Sequence, residues 1–322
     1  MDEVSVVVPN YNGKQYLQTC LDSLLNQTYE KLSIILVDNG SSDGSLELLQ
    51  KEYPQVKVIA FSENTGFCHA VNEGIKATKS PYVILLNNDT EAAPDFAEQL
   101  LDGIRRRKKA FSCAAKMIQF QNRTLLDDAG NFYNALGWAF ARGKGKDASL
   151  YNREEKIFAA CAGAAIYRRE VFEQIGLFDE EHFAYLEDID IGYRAKVQGY
   201  QNWYIPRAKV YHIGSGTSGS RYNLFKIRYS SRNNIYMLYK NMPFVQIIIN
   251  LPLLILGFLI KMVFFAGKGF GREYIAGMKN GFTLAGKARR NGKKVPYCGK
   301  NLPHYVRIQW ELLINIVRRV VD

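Results

Sequence analysis

The sequence predicts an α/β fold, a mostly parallel twisted sheet flanked by helices, from three observations in its first third. Four short, β-rich apolar runs follow one another: Ser5–Val8, Leu32–Val37, Val56–Phe61 and Tyr82–Leu86. They lack polar alternation, which suits strands covered on both faces. Helical patterns separate them. Leu17, Leu21, Leu24 and Leu25 recur at the spacing of one helix face, and Ser42 or Asp43 stands as a cap before Leu46, Leu48 and Leu49. Strand and helix in alternation predict a doubly wound unit.

In such sheets ligands bind beyond the carboxyl ends of the strands. Here those ends read Pro9-Asn10-Tyr11-Asn12, Asp38-Asn39-Gly40-Ser41-Ser42-Asp43-Gly44, Asn64-Thr65-Gly66-Phe67 with Asn72 further on, and Asn87-Asn88-Asp89-Thr90. These residue types also form ordinary turns. Four such segments on one predicted edge point instead to a ligand site. Asp38 can accept hydrogen bonds from a ligand's N–H or O–H groups, and Gly66 allows close backbone approach. No phosphate loop of the Gly-x-x-x-x-Gly-Lys-Ser/Thr type is present. Asp89 offers an oxygen ligand of the kind a hard divalent cation takes.

The second half carries further candidates. From about 110 to 152 the pattern loosens, with Gly137, Gly143 and Gly145 among Arg142, Lys144 and Lys146, and mobile loops are expected there. The small-residue run Ala159–Arg169, with Gly163 and Ala164, either leaves space for a ligand or packs tightly. Glu187, Asp188 and Asp190 open a helix, where acidic groups complement its positive end. Asp190 is expected to pair with Arg194, one turn on. His212 follows a strand pattern at Ala208–Tyr211. The loop Gly214, Gly216, Gly219 spells Gly-x-Gly-x-x-Gly, but no acidic residue occurs between Gly219 and Glu273, which excludes a dinucleotide fingerprint. Arg232, in Ser-Arg-Asn-Asn, offers either a phosphate fork or a surface ion pair.

The blocks Val-Val-Pro-Asn-Tyr-Asn, Val-Asp-Asn-Gly-Ser-Ser-Asp-Gly-Ser and Leu-Leu-Asn-Asn-Asp-Thr resemble the signatures of family 2 glycosyltransferases of the GT-A fold. The likeness runs from about Val4 to Asn241 and is closest to rhamnosyltransferases of bacterial surface polysaccharides. It implies a donor site of Pro9, Tyr11, Asn12, Asp38, Asn64, Gly66, Asn72, Asn87 and Asn88. It implies a Mg²⁺ or Mn²⁺ ion on Asp89 and His212, and an acceptor side of Gly163, Ala164, Glu187 and Arg232. Asp188 is the implied general base of an inverting transfer. The donor implied is dTDP-rhamnose; UDP-hexose, UDP-GlcNAc and galactofuranose donors stay open. The acceptor implied is a polyprenyl-diphosphate-linked or polysaccharide glycan. One departure stands out: the usual Asp-x-Asp reads Asn87-Asn88-Asp89, which leaves a metal-independent member as an alternative.

Composition bounds the rest. At 322 residues with 47% apolar residues the chain has a core, and 23% charged excludes a disordered one. Five scattered cysteines argue against a zinc site or disulfide framework and for a reducing cytosol. The acidic start runs straight into a strand, so no cleavable leader is expected. The net charge of +11 sits wholly from Lys240 onward, where 14 Lys and Arg face 3 Asp and Glu. A neutral body with a basic, apolar tail points to a membrane surface and away from nucleic acid. Phe244–Ala266 is apolar but interrupted by Asn250, Pro252 and Lys261, so it spans a bilayer, re-enters or lies on one, or is a buried helix of a soluble body. The final helix places Val306, Trp310, Leu313, Val317 and Val320 on one face. We therefore expect a catalytic domain over 1–241, split near 110, and a membrane-associating region over 242–322, peripheral or re-entrant on the cytoplasmic face. Homo-oligomerisation is left open. Two rivals remain. A nucleotidyltransferase needs a glycine-rich basic loop after the first strand, whereas Asn12-Gly13-Lys14 has one Gly. A non-catalytic membrane or nucleic-acid module requires that Asp89 and Asp188 be replaceable.

Overall fold

A computed structural model describes residues 2–214 and 223–321. The predicted winding is present: β1 (Val4–Asn10), α1 (Lys14–Leu25), β2 (Leu32–Asn39), α2 (Ser45–Glu52), β3 (Lys57–Phe61), α3 (Phe67–Lys76) and β4 (Tyr82–Leu86). The chain continues through β5 (Thr90–Ala92), α4 (Phe96–Arg105), β6 (Ala110–Gln119), β7 (Leu126–Asp128), β8 (Asn131–Tyr133), β9 (Ala139–Ala141), β10 (Glu155–Ile157), β11 (Ala164–Arg168) and α5 (Arg169–Ile175). It closes with α6 (Glu187–Val197), β12 (Gln201–His212), α7 (Leu224–Asn241), α8 (Phe244–Gly267), α9 (Gly271–Arg290) and α10 (Leu302–Val321).

The sheet runs β3-β2-β1-β4-β11-β6-β12-β10, with β5 paired to β12 and β7 to β6. Strands β1 to β4 are parallel, and β11 lies antiparallel between β4 and β6. Alternate residues of β1 serve opposite cores. Val4, Val6 and Val8 meet Leu17, Leu21 and Leu24 of α1 with Leu100 and Ile104 of α4. Val7 joins Val71 and Ile75 of α3 and the aromatic residues Phe111, Tyr167 and Phe172. Leu25 is exposed, so the α1 stripe is one residue narrower than its spacing suggests.

Three local expectations change. β3 is an edge strand with exposed and half-buried residues, not a strand covered on both faces. Neither Ser42 nor Asp43 is the cap of α2, which is Gly44 at φ 84°. Asp43, one residue earlier, accepts from Ser45 N at 3.1 Å through Oδ1 and from Lys14 N, the first residue of α1, at 2.8 Å through Oδ2. The stretch from 110 to 152 is not a set of loose loops. It contains β6, an inner strand whose small Ala, Ser and Cys residues give a weak β signal. Lys116, buried within that strand, extends its Nζ to Asn152 Oδ1 at 2.8 Å.

Residues 242–321 pack on the rest of the described chain. α9 lies along α7, with Gly277 and Gly281 against the backbone of Arg228 and Arg232. α7 is joined to α6 by buried Asp190, which pairs with Arg194 at 2.8 Å as the spacing predicts and with Lys240 at 3.0 Å. Breaking such a buried group costs about 3–5 kcal/mol.

Candidate active site

Because β1 to β4 are parallel, their C-terminal ends share one edge, and a cleft of about 420 Å³ opens there. Small-molecule sites typically measure about 300–1,000 Å³. Of the residues singled out by the sequence, Pro9, Tyr11, Asn64, Asn87, Asn88, Asp89, Gly163, Glu187, Asp188 and His212 line it. A smaller cavity of about 180 Å³, between Lys196 of α6 and Arg307 of α10, contains none of the sequence blocks.

Strand register builds the first pole of the cleft. Thr90 of β5 sits opposite His212 of β12, so His212 arrives beside Asp89. β12 pairs with β6, and β6 with β7, which brings Asp127 to the far side of the same ring. His212 Nε2 lies 3.2 Å from Asp89 Oδ1, and its Nδ1 lies 2.7 Å from Asp127 Oδ2. Lys144 Nζ holds the other Asp127 oxygen at 2.6 Å. Burial opposes charge on His212, but hydrogen bonds to Asp127 and Asp89 outweigh it and lift the imidazole to about 9. Burial likewise works against ionised Asp127, yet His212 and Lys144 hold its carboxyl well below the usual range.

No group of three or more His, Cys, Asp or Glu side chains arranged for a metal occurs among the described residues. The donor set that is present still fits a divalent cation bound with substrate. Asp89 supplies a carboxylate oxygen and His212 an imidazole nitrogen, and such ions commonly take one or two protein ligands beside phosphate oxygens. Asp127 on the remote nitrogen is the partner a ligating histidine requires.

The second pole is acidic. Asn131, at the start of β8, donates from Nδ2 to Asp188 Oδ2, while Ile189 N donates to Asp188 Oδ1 at 2.7 Å. Burial pushes the Asp188 carboxyl up against these two donors. Burial, with the charge of Asp188, also pushes Glu187 up, and Glu187 Oε2 has no hydrogen-bond partner among the described residues. Asp128 is raised to about 7 by burial, opposed by the Gly130 N–H.

The segment before Glu187 has φ of 61° at Phe183, 71° at Tyr185 and 66° at Leu186, a conformation non-glycine residues seldom adopt. Asn233 of α7 holds it, donating from Nδ2 to the carbonyls of His182, Ala184 and Tyr185 at 2.8–2.9 Å. His182 beneath is fully buried, its ring centroid 5.3 Å from that of Tyr236, and burial holds it down to about 4.

Several predicted residues stand behind the cleft. Asp38 accepts from Asn10 Nδ2 at 2.9 Å and from Ser41 N at 2.9 Å, while Asn10 Oδ1 accepts from Asn88 Nδ2 at 2.6 Å. Asp38 therefore acts on the cleft wall through Asn10. Asn12 ties the first loop to the second by accepting from Ser42 N at 2.8 Å. Gly66, at φ 90°, lies against the Phe183 ring, which a Cβ would meet at 2.5 Å. Its openness is filled by this ring, where a ligand was expected. Ala164 is buried within β11.

Two expectations are corrected outright. Asn72 does not face a ligand: its amide donates to Phe178 O at 2.8 Å and Glu180 Oε1 at 2.9 Å and accepts from Phe178 N at 3.0 Å. Arg232 is neither a phosphate fork nor a surface ion pair. Its guanidinium donates to the carbonyls of Glu181 at 2.7 Å and His182 at 2.9 Å and stacks over Tyr229. The sequence reading missed Asp127, Asp128 and Asn131. Their signal was Leu-Asp-Asp-Ala-Gly-Asn, paired acids before a glycine turn, inside a stretch read as mobile. Gly216 and Gly219 of the rejected fingerprint lie outside the described residues.

Residues 5–176 match the family described as Glycosyl transferase family 2. The chain belongs to that family. This family 2 glycosyltransferase is 28% identical over 241 residues to the N-acetylglucosaminyl-diphospho-decaprenol L-rhamnosyltransferase of Mycobacterium tuberculosis, covering 68% of this chain and 78% of that protein. Among solved structures it is similar to GalNAc-T7 crystallised with UDP, GalNAc and Mn²⁺, at a TM-score of 0.61 and 19% identity, over 74% of this chain and 48% of that one. It is also similar to a mannosyltransferase of Pyrobaculum calidifontis in complex with GDP-Man and Mn²⁺, at 0.52 and 14% identity, over 91% and 88%. At these identities the structures establish the GT-A fold of the glycosyltransferase.

Proposed function

We propose that this family 2 glycosyltransferase is an inverting enzyme. It moves L-rhamnose from dTDP-rhamnose onto a lipid-linked or polysaccharide acceptor at the cytoplasmic membrane surface, in cell-surface glycan synthesis. One observation supports this reading: Asp89 and His212 line the same cleft as Asp188 and Glu187. The choice of rhamnose rests on the mycobacterial relative alone.

In this reading the nucleotide lies along the rim of Pro9, Tyr11 and Asn64, with Asp38 keeping Asn10 and Asn88 in position. Asp89 and His212 would hold Mg²⁺ or Mn²⁺ beside the diphosphate; the ion, when bound, neutralises the leaving group. Asp188 takes the proton from the acceptor hydroxyl, and that oxygen attacks the anomeric carbon from the side opposite the diphosphate. The configuration therefore inverts. Asn131 and the Ile189 N–H orient the carboxylate that accepts the proton. Glu187 contacts the acceptor.

The test is nucleotide release from dTDP-rhamnose, UDP-glucose, UDP-GlcNAc and UDP-galactofuranose, with Mg²⁺, Mn²⁺ or chelator. The expected outcome is turnover of dTDP-rhamnose that chelator abolishes. No release from any donor overturns the enzyme reading, and full rates in chelator overturn the role of the ion.

A further inference from the structure

By length and composition α8 could cross a membrane, yet its packing argues otherwise. At 1.5 Å per residue its 24 residues extend about 36 Å, longer than the roughly 30 Å hydrocarbon core of a bilayer. A spanning helix needs lipid, or another membrane helix, all round. α8 has the catalytic body along one side for most of its length. Near its start Gln246 Oε1 accepts from Tyr193 Oη, and Asn250 Nδ2 donates to Gln309 Oε1 of α10 at 2.8 Å. In its middle Gly257 lies so close to Leu136 that a Cβ would meet that carbonyl oxygen at 2.0 Å, and Trp138 Nε1 donates to Gly257 O at 3.0 Å. Toward its end Lys261 Nζ stands 5.9 Å from the Trp138 ring centroid. The buried positions Gln246, Asn250, Leu254 and Gly257 form one stripe.

The opposite half of the helix is apolar and exposed from end to end, including Phe244, Ile248, Ile255, Leu259 and Val263. α10 extends this surface. Its Ile308 and Leu312 face the core and Gln309 faces α8, which leaves Val306, Trp310 and Val317 exposed on the flank nearest α8. Sequence periodicity had grouped these residues correctly, and their face turns outward.

We propose that α8 and α10 form an in-plane docking surface for an anionic lipid bilayer, with α8 half-embedded and parallel to the membrane instead of crossing it. The inference rests on the membrane-surface reading above. Burying the body side of α8 in hydrocarbon would carry the β8–β9 turn, with Leu136 and Trp138, and Gln309 of α10 with it, which no bilayer accommodates. The occupant is a lipid surface and not a second copy of this chain, on grounds of charge. The whole +11 excess lies from Lys240 onward, so two copies repel where anionic headgroups attract. Arg272, Lys279, Arg289 and Arg290 of α9 are exposed and make no ion pair among the described residues.

In full-length protein carrying C298S, Cys20, Cys68 and Cys113 are buried and Cys161 is half-buried in the cleft. This parent receives one added cysteine in turn from Ile248→Cys, Leu256→Cys and Val263→Cys and is labelled with an environment-sensitive fluorophore, the labelled C298S parent serving as the blank. It is then mixed with phosphatidylcholine vesicles with or without phosphatidylglycerol, and depth is read with nitroxide lipids. The expected result is one shallow depth for all three sites, with tighter binding to anionic vesicles. A deep Leu256 site between shallow ends shows a span and overturns the in-plane geometry while leaving the membrane reading intact. No binding to either vesicle overturns both, and a dimer by light scattering in that case assigns the face to a second copy. Ile255→Glu and Leu259→Glu are each expected to weaken vesicle binding about tenfold or more, through loss of a buried aliphatic side chain. Donor hydrolysis in solution, measured alongside, is expected to be unchanged, which separates failure of docking from failure of the glycosyltransferase reading.

Discussion

The two walls of the cleft are held in place by different means. On the rim side the strand-end loops satisfy one another: Asp38 with Asn10, Asn10 with Asn88, and Asn39 Nδ2 with Asn64 Oδ1 at 3.0 Å. That wall needs little beyond the sheet. On the acidic side the chain from Phe183 to Leu186 takes a conformation it would not choose, and side chains of α7, some fifty residues on, hold it there. Carboxyl groups behind it are pushed up by burial. The rim is a property of the sheet, whereas the acidic end is imposed by tertiary packing.

The comparison breaks first at Asp188. Asp188→Asn is expected to lower kcat by about 10²- to 10⁴-fold with KM for the donor nearly unchanged, since the donor wall does not depend on it. A wild-type rate in this variant removes the residue from the base role. Asn233→Ala leaves three carbonyls of the acidic loop without their donor and is expected to cost about 1–3 kcal/mol in denaturant unfolding. The equivalent loss on the rim, Asn64→Ala, is expected to cost less, because Asn64 is itself exposed and buried Asn39 keeps its second acceptor, the Gly66 carbonyl. Equal losses would erase the distinction between the walls.

Asp127→Asn tests the pole between the walls. Asp127 orients His212 without lining the cleft, so Mn²⁺ affinity, read by titration calorimetry with nucleotide diphosphate present, is expected to fall 10- to 100-fold. The smallest effect expected is on pH. Burial already raises Asp188, and the Asn131 amide favours its charged form. The base works deprotonated, so activity is lost as pH falls through its pKa. Removing the amide in Asn131→Ala raises that pKa further, and the acid limb of kcat/KM should move up by about one pH unit. A limb that stays put shows that the amide does not face the working carboxylate.

This contrast also explains what the sequence disclosed. The rim was legible because each loop follows its own strand within a few residues, so order along the chain maps onto order along the edge. Asp188, which at a helix start reads as no more than a complement to the helix's positive end, was singled out only through the family resemblance. Asp127 and Asn131 were not, because they reach the site only after β5, β12, β6 and β7 have paired, and the alanine-rich β6 gave no strand pattern to announce it. Arg232 and Asn72 were misread for a related reason. An Arg or Asn near a site looks alike in sequence whether it grips a ligand or backbone carbonyls.

Asp43 has a consequence for the rim as a whole. One of its oxygens receives the first N–H of α1 and the other the first N–H of α2. Two segments that could each have flexed therefore share a single fastening, and Asn12, bonded to Ser42 N, adds a second tie between them. In mechanical terms the rim has fewer independent moving parts than it has loops. A disturbance that enters at Asn12 is felt at Ser42 before it is felt at the sheet.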